Sequence, residues 1–225
     1  MHDIIYFVKE SESNEELRYS LRSLVNFPHR KVWFYGGCPD ELKPDHHVFV
    51  KQDKENKWQN VNMMLKLACN NPEITKDFWL FNDDFFVMEK VEKPVNYSNG
   101  DLYKRIVMLE DVHGGITPYS KQLRDMCKEL EAMGCTTINY TLHVPILINR
   151  EKAMELFNVT ECPMFRSLYG NYAKVKTETM HDVKIVNCEK EYKGGIYLST
   201  DDKSFEGKVG DQIRSHFPDK CKYEK

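Results

Sequence analysis

The sequence has no long apolar run and no basic, apolar leader. None of its hydrophobic stretches approaches the ~20 residues that a helix needs to cross a bilayer. The first residues, from Met1 to Val8, lack a positively charged segment and begin with what looks like a β-strand. We therefore expect a protein without a membrane span that is located in the cytoplasm.

Paired cysteines and a strong net charge are also missing. The seven cysteines contain no Cys-x-x-Cys pair, which argues against a disulfide framework and against a zinc knuckle. With 32 basic and 35 acidic residues the formal charge is only -3, so the whole protein does not attract nucleic acid or an acidic membrane. A nucleic-acid partner would need a local basic patch. The expected state of the thiols is reduced.

The 225 residues fit one large domain without repeats or low-complexity linkers. Strand and helix patterns alternate along residues 1–92. A β-branched run at 4–8 is followed by an amphipathic helix at 15–25, which Asn14 or Ser13 can cap, and by strands at 31–35 and 48–50. A second helix at 59–69 precedes the apolar strand 78–81. This order predicts parallel strand pairing and an α/β fold.

Residues 93–225 have a looser pattern. We predict the following elements there: a loop at 94–100, a strand at 105–109, a flexible glycine pair at 114–115, helices at 121–133, 151–157 and 210–217, and an extended segment at 137–148. Residues 1–92 and 93–225 would form the two halves of a single domain, 1–225.

Two adjacent carboxylates provide the strongest functional indication. Asn82, Asp83 and Asp84 follow the apolar strand and precede a second apolar run. Hard oxygen ligands at the carboxyl end of a buried strand suit a divalent ion that also holds phosphate oxygens. A solvated turn or a helix cap is the alternative and explains adjacent acids about as well. The apolar flanks favour burial, and buried carboxylates need a compensating charge such as a cation.

Several blocks of the sequence resemble the Stealth proteins. The similar segments are the block from Glu16 to Leu24, the Phe81–Phe86 block, His143-Val144-Pro145 and Phe165-Arg166-Ser167. That family comprises sugar-phosphate transferases of capsule synthesis and the animal enzyme that builds the lysosomal mannose-phosphate tag. The resemblance follows the chain in order as far as residues 198–202, and the chain's size is similar to that of short glycosyltransferase-like proteins of phages and bacterial surface-sugar clusters.

The resemblance implies a fold and a set of roles. It implies a GT-A-like (Rossmann-like) mixed, mainly parallel sheet flanked by helices, with a C-terminal α+β extension. In such a domain residues 1–92 would be the nucleotide-sugar-binding half and residues 93–225 the acceptor-side half. Asp83 and Asp84 would hold Mn²⁺ or Mg²⁺ and the donor phosphates, His143 would lie at the reacting centre, and Arg166 would neutralise a phosphate. Histidine can accept the proton of an attacking hydroxyl, and a guanidinium matches a phosphate edge. Without the resemblance, a buried structural imidazole is the simpler interpretation of His143.

Further polar residues are candidates with equally plausible structural roles. Arg18 and Arg22 share a helix face and either contact the donor diphosphate or form a solvated flank, with Glu15 or Glu16 as the expected partner of Arg22. Asn60 either binds the donor or caps a helix. The remaining candidates are Asn82 on the donor side, Tyr169 and Asn171 as a sugar platform or a turn, and Asp182 as an acceptor-side acid, metal ligand or base.

Taken together, these patterns predict a metal-dependent transferase that uses a nucleotide sugar, for which we expect a uridine-type base, and a hydroxyl acceptor. Attack at the anomeric carbon transfers a sugar, whereas attack at the β-phosphorus transfers a sugar-1-phosphate. The similarity to the Stealth motifs favours transfer of a sugar-1-phosphate. The short chain gives a slight preference to transfer of the sugar alone. The acceptor is a saccharide or a hydroxymethylated DNA base. A carbohydrate-binding protein on an inactive fold is the non-enzymatic alternative.

Overall fold

The computed structural model describes residues 1–53, 57–162 and 164–225. Its regular elements are, in chain order, β1 (Asp3–Val8), α1 (Glu15–Ser23), β2 (Val32–Gly36), β3 (His46–Phe49), α2 (Lys57–Asn70), β4 (Asp77–Phe81), β5 (Phe85–Val87), β6 (Asn96–Ser98), α3 (Leu102–His113), α4 (Pro118–Ala132), β7 (Ile146–Asn149), α5 (Arg150–Phe157), α6 (Phe165–Tyr172), β8 (Thr177–Thr179), β9 (Lys184–Ile185), β10 (Tyr197–Thr200), α7 (Asp202–Phe205) and α8 (Lys208–His216).

The central sheet has the strand order β3-β2-β1-β4-β7 among the described residues. Strands β1 to β4 run parallel, and β7 pairs with β4 in the antiparallel direction. The predicted α/β class with a mainly parallel mixed sheet is therefore confirmed. The chain adds β2 and β3 on one side of β1 and then returns to place β4 on the other side. This reversal creates a crevice between the carboxyl ends of β1 and β4, the place where open α/β sheets bind ligands.

Both faces of the central sheet are buried, as expected for parallel strands with continuous apolar sequences. Alternate residues of β1 enter different cores: Ile5 packs with α2 and α4, whereas Ile4 and Tyr6 pack with α1. Helix α1 contributes Leu17 and Leu21 to this second core. Its side of the sheet is the one on which the candidate site forms.

A smaller sheet continues from the central one beyond β4. Its order is β5-β10-β9, with β10 antiparallel to β5 and parallel to β9. Helices α7 and α8 cover it through a third apolar cluster that includes Phe86, Phe205 and Ile213. Strands β6 and β8 form a separate parallel pair. Because β7 belongs to the central sheet, the two predicted halves of the chain share one sheet.

Several predicted elements are confirmed and others are wrong. Helices at 59–69, 121–133, 151–157 and 210–217 match α2, α4, α5 and α8 within a few residues. Residues 105–109 lie inside α3 and do not form a strand, because Asp101 caps this helix by accepting hydrogen bonds from the N–H groups of Tyr103 and Lys104. The predicted loop 94–100 contains β6, and only the end of the extended segment 137–148 belongs to a strand.

Within residues 1–53, 57–162 and 164–225, no helix is long and apolar enough to cross a membrane.

Candidate active site

The paired aspartates follow the carboxyl end of β4, the strand that neighbours β1. Asn82, Asp83 and Asp84 form the turn that leaves β4 and enters β5, so the chain passes here from the central sheet into the smaller one. Helix α1, which follows β1, is hydrogen-bonded to β5, the strand that this turn enters. The Ser20 hydroxyl donates to the Phe85 carbonyl oxygen at 2.5 Å, and the Ser23 hydroxyl accepts from the Val87 N–H at 3.0 Å.

Asp83 is held by the residue that caps α1. The Asn14 amide Nδ2 donates to Asp83 Oδ2 at 2.9 Å, while Asn14 Oδ1 accepts from the Leu17 N–H at 2.9 Å. Burial raises the pKa of Asp83; the Asn14 hydrogen bond opposes this shift, and the negative charge of Asp84 adds to it. The negative charge of ionised Asp83 is therefore not fully compensated by its surroundings.

Asp84 has one satisfied and one unsatisfied oxygen. Its Oδ2 accepts from Lys184 Nζ at 2.8 Å and from Ser199 Oγ at 3.0 Å, so β9 and β10 both contact the turn. Its Oδ1 is buried and has no hydrogen-bond partner among the described residues. A buried carboxylate oxygen without a partner is unfavourable and points to a missing ligand.

Glu16 adds a third carboxylate. It lies on the same stripe of α1 as Ser20 and Ser23, the stripe that faces β5, and its Oε1 accepts from Thr200 Oγ1 at 2.8 Å. Burial raises the pKa of Glu16 to about 7; the Thr200 hydroxyl opposes this shift, and the charges of Asp83, Asp84 and Asp202 add to it. The site therefore concentrates negative charge and favours cations and protons.

Arg166 provides a buried positive charge next to the turn. Its Nη1 donates to the carbonyl oxygens of Leu142 and Val144 at 2.9 and 2.7 Å, and its guanidinium lies over the Phe85 ring, 5.2 Å from the ring centre. Its Nη2 is buried without a partner in the described part of the chain. Burial lowers the pKa of Arg166 to about 10, although the charges of Asp84 and Asp182 oppose this shift. Arg166 therefore remains charged at neutral pH.

His143 and Asp182 form a hydrogen-bonded pair. The Asp182 carboxylate accepts from the His143 backbone N–H at 3.1 Å and lies 2.9 and 3.0 Å from the ring nitrogen Nδ1. Burial opposes ionisation of Asp182, but the hydrogen bonds from His143 and the charges of His143 and Arg105 outweigh it and hold its pKa below the usual value. An ionised carboxylate only accepts hydrogen bonds, so Nδ1 carries the proton and Nε2 of a neutral ring can accept one.

Residues from distant parts of the sequence thus meet in one place. The His143 ring lies edge-on to Phe85, with 6.4 Å between ring centres, and Arg166 links the His143 loop to the turn that carries Asp84. Four of the predicted site residues are therefore neighbours: Asp83, Asp84, His143 and Arg166. Asn82 lies in the same turn and is exposed, whereas Asp182 acts on His143.

The two arginines of α1 have other partners. Arg18 Nη2 donates to Glu15 at 3.0 Å on the exposed side of the helix. Arg22 forms two hydrogen bonds of 2.7 Å with Glu224 and donates to the carbonyl oxygens of Phe217 and Pro218. The expectation that Glu15 or Glu16 would pair with Arg22 is wrong, because the C-terminal segment folds against this helix. The guanidinium of Arg22 is fully engaged away from the paired aspartates.

Three other predicted residues have structural roles. Asn60 lies in the first turn of α2, not before the helix, and its side chain exchanges hydrogen bonds with the backbone of Asp53 at 2.6 and 3.0 Å. The segment that contains Tyr169 and Asn171 is the buried helix α6 rather than an exposed platform or turn: their exposures are 2% and 1%. Tyr169 accepts from the Asn149 N–H, and Asn171 accepts from Thr136 and Ile138.

The chemistry of the turn fits a divalent cation. In the described residues, no group of three or more His, Cys, Asp or Glu side chains forms a ready-made metal site. Mg²⁺, however, is commonly held by one or two carboxylates together with waters and substrate phosphates. Such an ion would compensate Asp84 Oδ1, which has no partner within the described part of the chain, and the raised pKa of Asp83.

Comparison with known proteins gives no identification. No protein-family model matches the chain, and a search of curated proteins finds no relative.

Sequence reasoning missed three residues that contact the turn or face it. Glu16 was considered only as an arginine partner, although its spacing from Ser20 and Ser23 places all three on one face of α1. Lys184 and Ser199 reach Asp84 through the β9–β10 pairing, in which they occupy the same register. No local sequence motif predicts the pairing of β9 with β10, so the sequence does not indicate that Lys184 contacts Asp84.

Proposed function

We propose that the protein is a metal-dependent transferase that moves a sugar from a nucleotide-sugar donor to a hydroxyl acceptor. The observation that carries this proposal is the position of Asp83 and Asp84 at the chain reversal between β1 and β4, next to Arg166. Arg166 Nη2 has no hydrogen-bond partner among the residues that the structure describes. Carboxylates for a cation and a guanidinium for an oxyanion are what a diphosphate requires. The strand order and the acidic turn after β4 also support a GT-A-like fold.

Each residue has a role in the proposed reaction. Asp83 and Asp84 would hold Mn²⁺ or Mg²⁺, which stabilises the charge that grows on the leaving phosphate. Arg166 would donate to the same phosphate through Nη2, and it already fixes the loop on both sides of His143. His143 Nε2 would accept the proton of the acceptor hydroxyl, with Asp182 fixing the ring and stabilising its charged form. The proposed acceptor is a saccharide, with a modified DNA base as the alternative.

Transfer of a sugar-1-phosphate is a second candidate. A specific observation favours it: two cationic side chains, Lys184 and Arg166, approach Asp84 from different elements. In the transition state a transferred phosphoryl group carries more negative charge than a transferred glycosyl group. A site with two cationic side chains and a divalent ion therefore suits phosphoryl transfer. Glycosyl transfer releases a nucleoside diphosphate, whereas sugar-phosphate transfer releases a nucleoside monophosphate.

One assay tests both reactions. The purified protein is incubated with a panel of uridine, guanosine and cytidine nucleotide sugars and Mn²⁺ or Mg²⁺, and the released nucleotide is identified by chromatography. We expect donor cleavage that Asp84→Asn abolishes. The matched control is Asp77→Asn, the same change at the opposite end of β4, where Asp77 accepts from Asn149 Nδ2. Absence of cleavage by the wild type would favour a carbohydrate-binding protein instead, whereas full activity of Asp84→Asn would contradict the metal-binding role of Asp84.

A further inference from the structure

Lys184 occupies a position at the turn to which the proposed glycosyl transfer assigns no role. It lies on β9 directly opposite Ser199 of β10, and both residues contact Asp84 Oδ2, at 2.8 and 3.0 Å. The side chain of Lys184 is 22% exposed and that of Asp84 is 13% exposed. This ion pair is therefore largely shielded from solvent, and its charge–charge interaction is stronger than that of a surface pair.

Charge balance suggests what Lys184 does when a donor arrives. The site holds the carboxylates of Asp83, Asp84 and Glu16. Two cationic side chains, Lys184 and Arg166, interact with Asp84. A divalent cation that binds the aspartates alone would repel the ammonium group 2.8 Å from Asp84. A cation that arrives with a diphosphate brings negative oxygens with it, and these oxygens can accept the hydrogen bonds of the displaced ammonium.

The chemistry of lysine suits such an exchange. Its ammonium group sits on a flexible four-carbon stem and carries three rotatable donors, so it can change partners without moving the backbone. Arg166 lacks this freedom because two carbonyl oxygens and the Phe85 ring fix its guanidinium. Asp84 Oδ1, which has no hydrogen-bond partner in the described residues, is open to a metal ion while Lys184 still holds Oδ2.

We propose that Lys184 is a resident counter-ion that exchanges partners: it pairs with Asp84 in the free protein and turns to the donor phosphate oxygens when a divalent cation binds the aspartates. This inference rests on the proposed function, since it assumes a metal–diphosphate ligand. Its consequence is that the cation and the diphosphate bind cooperatively. Lys184 opposes the cation when it is alone and supports the pair when both are present. Lys184 is thus a positioning and donor-binding residue of the site.

Binding measurements test the exchange without relying on turnover. Mn²⁺ affinity is measured by electron paramagnetic resonance of the free ion, and affinity for uridine diphosphate and inorganic pyrophosphate is measured by calorimetry at saturating Mn²⁺. Pyrophosphate is included because it carries no base. The variant is Lys184→Gln, which keeps a hydrogen-bond donor for Asp84 but removes the charge. Lys184→Arg keeps the charge, and Lys152→Met removes a lysine from the exposed pair with Glu155.

We expect Lys184→Gln to bind Mn²⁺ alone about 3- to 10-fold more tightly than the wild type, because the competing charge is gone. It should bind either diphosphate at least ~10-fold more weakly, because a charge-assisted hydrogen bond is lost. Lys184→Arg should keep most of the diphosphate affinity, and Lys152→Met should change neither value. Circular dichroism checks that each variant is folded.

The failures of this inference and of the proposed function are distinguishable. A wild type that binds Mn²⁺ and a diphosphate, with Lys184→Gln unchanged in both affinities, overturns the exchange and leaves the proposed function intact. Weaker Mn²⁺ binding by Lys184→Gln also overturns it, since Lys184 would then organise Asp84 rather than compete for it. A wild type that binds neither Mn²⁺ nor a diphosphate overturns the proposed function and the exchange together.

Discussion

Asn14 connects the start of helix α1 to the candidate site, because its Nδ2 donates to Asp83 Oδ2 at 2.9 Å while its Oδ1 caps the helix by accepting from the Leu17 N–H. The same side chain thus stabilises an element that follows β1 and orients a carboxylate that follows β4. These two strands are neighbours in the sheet. The chain adds β2 and β3 on one side of β1 and β4 on the other. The fold and the site are coupled through one amide.

This coupling leads to a separable prediction for Asn14→Ser. Serine caps helices about as well as asparagine, so we expect the change of capping residue itself to alter the free energy of unfolding by less than about 0.5 kcal/mol. Asp83 loses its amide partner, and its already raised pKa should rise further. Donor cleavage at pH 7 should fall about tenfold, with the acid limb of the pH–activity profile shifted to higher pH.

The control for Asn14 is Thr117→Ala. Thr117 caps α4 through the same type of bond, from the Ser120 N–H at 3.0 Å, on a helix distant in sequence from the turn. We expect it to destabilise the fold by about 1 kcal/mol and to leave activity unchanged. Urea denaturation and donor cleavage measure the two effects. If Asn14→Ser kept wild-type activity, as Thr117→Ala should, Asn14 would be a helix cap and nothing more.

Glu15 and Glu16 are adjacent acids whose pKa values shift in opposite directions. The Arg214 hydrogen bond lowers the pKa of Glu15, whereas burial and three nearby carboxylates raise that of Glu16 from 4.5 to about 7. Between pH 4.5 and about pH 7 the folded protein holds the Glu16 proton more tightly than the unfolded chain does. Stability therefore decreases as pH rises through this window, and the full penalty is present above pH 7.

Glu16→Gln should remove that penalty because glutamine resembles the protonated acid and can still accept from Thr200. We expect the variant to be more stable than the wild type at pH 8 by on the order of 1 to 2 kcal/mol, with the difference becoming small near pH 4.5. Urea denaturation at both pH values measures it. Glu15→Gln is the control and should lose stability or stay unchanged at pH 8. Equal stability of Glu16→Gln and wild type at pH 8 would contradict the raised pKa.

Local patterns were enough to predict the parallel strands and the position of the acids. The apolar sequences of β1 and β4 and the cap at Asn14 determine these elements over short distances. Residues 105–109 were misassigned because Ile106, Val107 and Met108 resemble a strand, while the helix depends on capping by Asp101. Strand β7 was only partly recognised because its antiparallel partner, β4, is separated from it by more than 60 residues.

The site was less predictable than the fold because long-range packing decides its composition. Arg22 matches a donor-binding pattern, yet the C-terminal residue Glu224 takes its guanidinium. Lys184 lies in a two-residue strand without a sequence signature and contacts Asp84 through its pairing with β10. Residues whose role depends on a neighbour in sequence were found, whereas those whose role depends on a partner 100 or more positions away were not.

The His143–Asp182 pair predicts a large effect from a small change. In Asp182→Asn the side-chain amide can donate to Nδ1, so the ring proton would move to Nε2 and block its role as a base. We expect kcat to fall about 100-fold with KM little changed. His143→Gln should have an effect of similar size, and the double variant should be no worse than either single one, because the two residues act as a unit.

His181→Gln is the matched control for this pair, since His181 is the exposed histidine next to Asp182. It should retain wild-type kcat and KM. Steady-state kinetics on a donor that the wild type cleaves provides the measurement. A drop of less than about threefold for both His143→Gln and Asp182→Asn would assign proton transfer to another group, and Glu16 would be the next candidate because its pKa lies near 7.

Arg22 and Glu224 form a buried ion pair that should matter for stability and not for donor binding. Their side chains are 9% and 4% exposed, and Arg22 also donates to two carbonyl oxygens of the C-terminal segment. Arg22→Met leaves Glu224 buried without its partner, which typically destabilises a protein by about 3 to 5 kcal/mol. The double variant Arg22→Met with Glu224→Leu should recover part of this loss, because neither charge remains buried alone.

Urea denaturation of the two single variants and the double variant gives the coupling energy. Lys152→Met, in the exposed pair with Glu155, is the control and should cost less than about 1 kcal/mol. Under conditions where Arg22→Met is folded, its donor affinity should equal that of the wild type, because the Arg22 guanidinium is held by Glu224, Phe217 and Pro218. A selective loss of donor affinity without a loss of stability would instead support the interpretation of this helix face as a diphosphate contact.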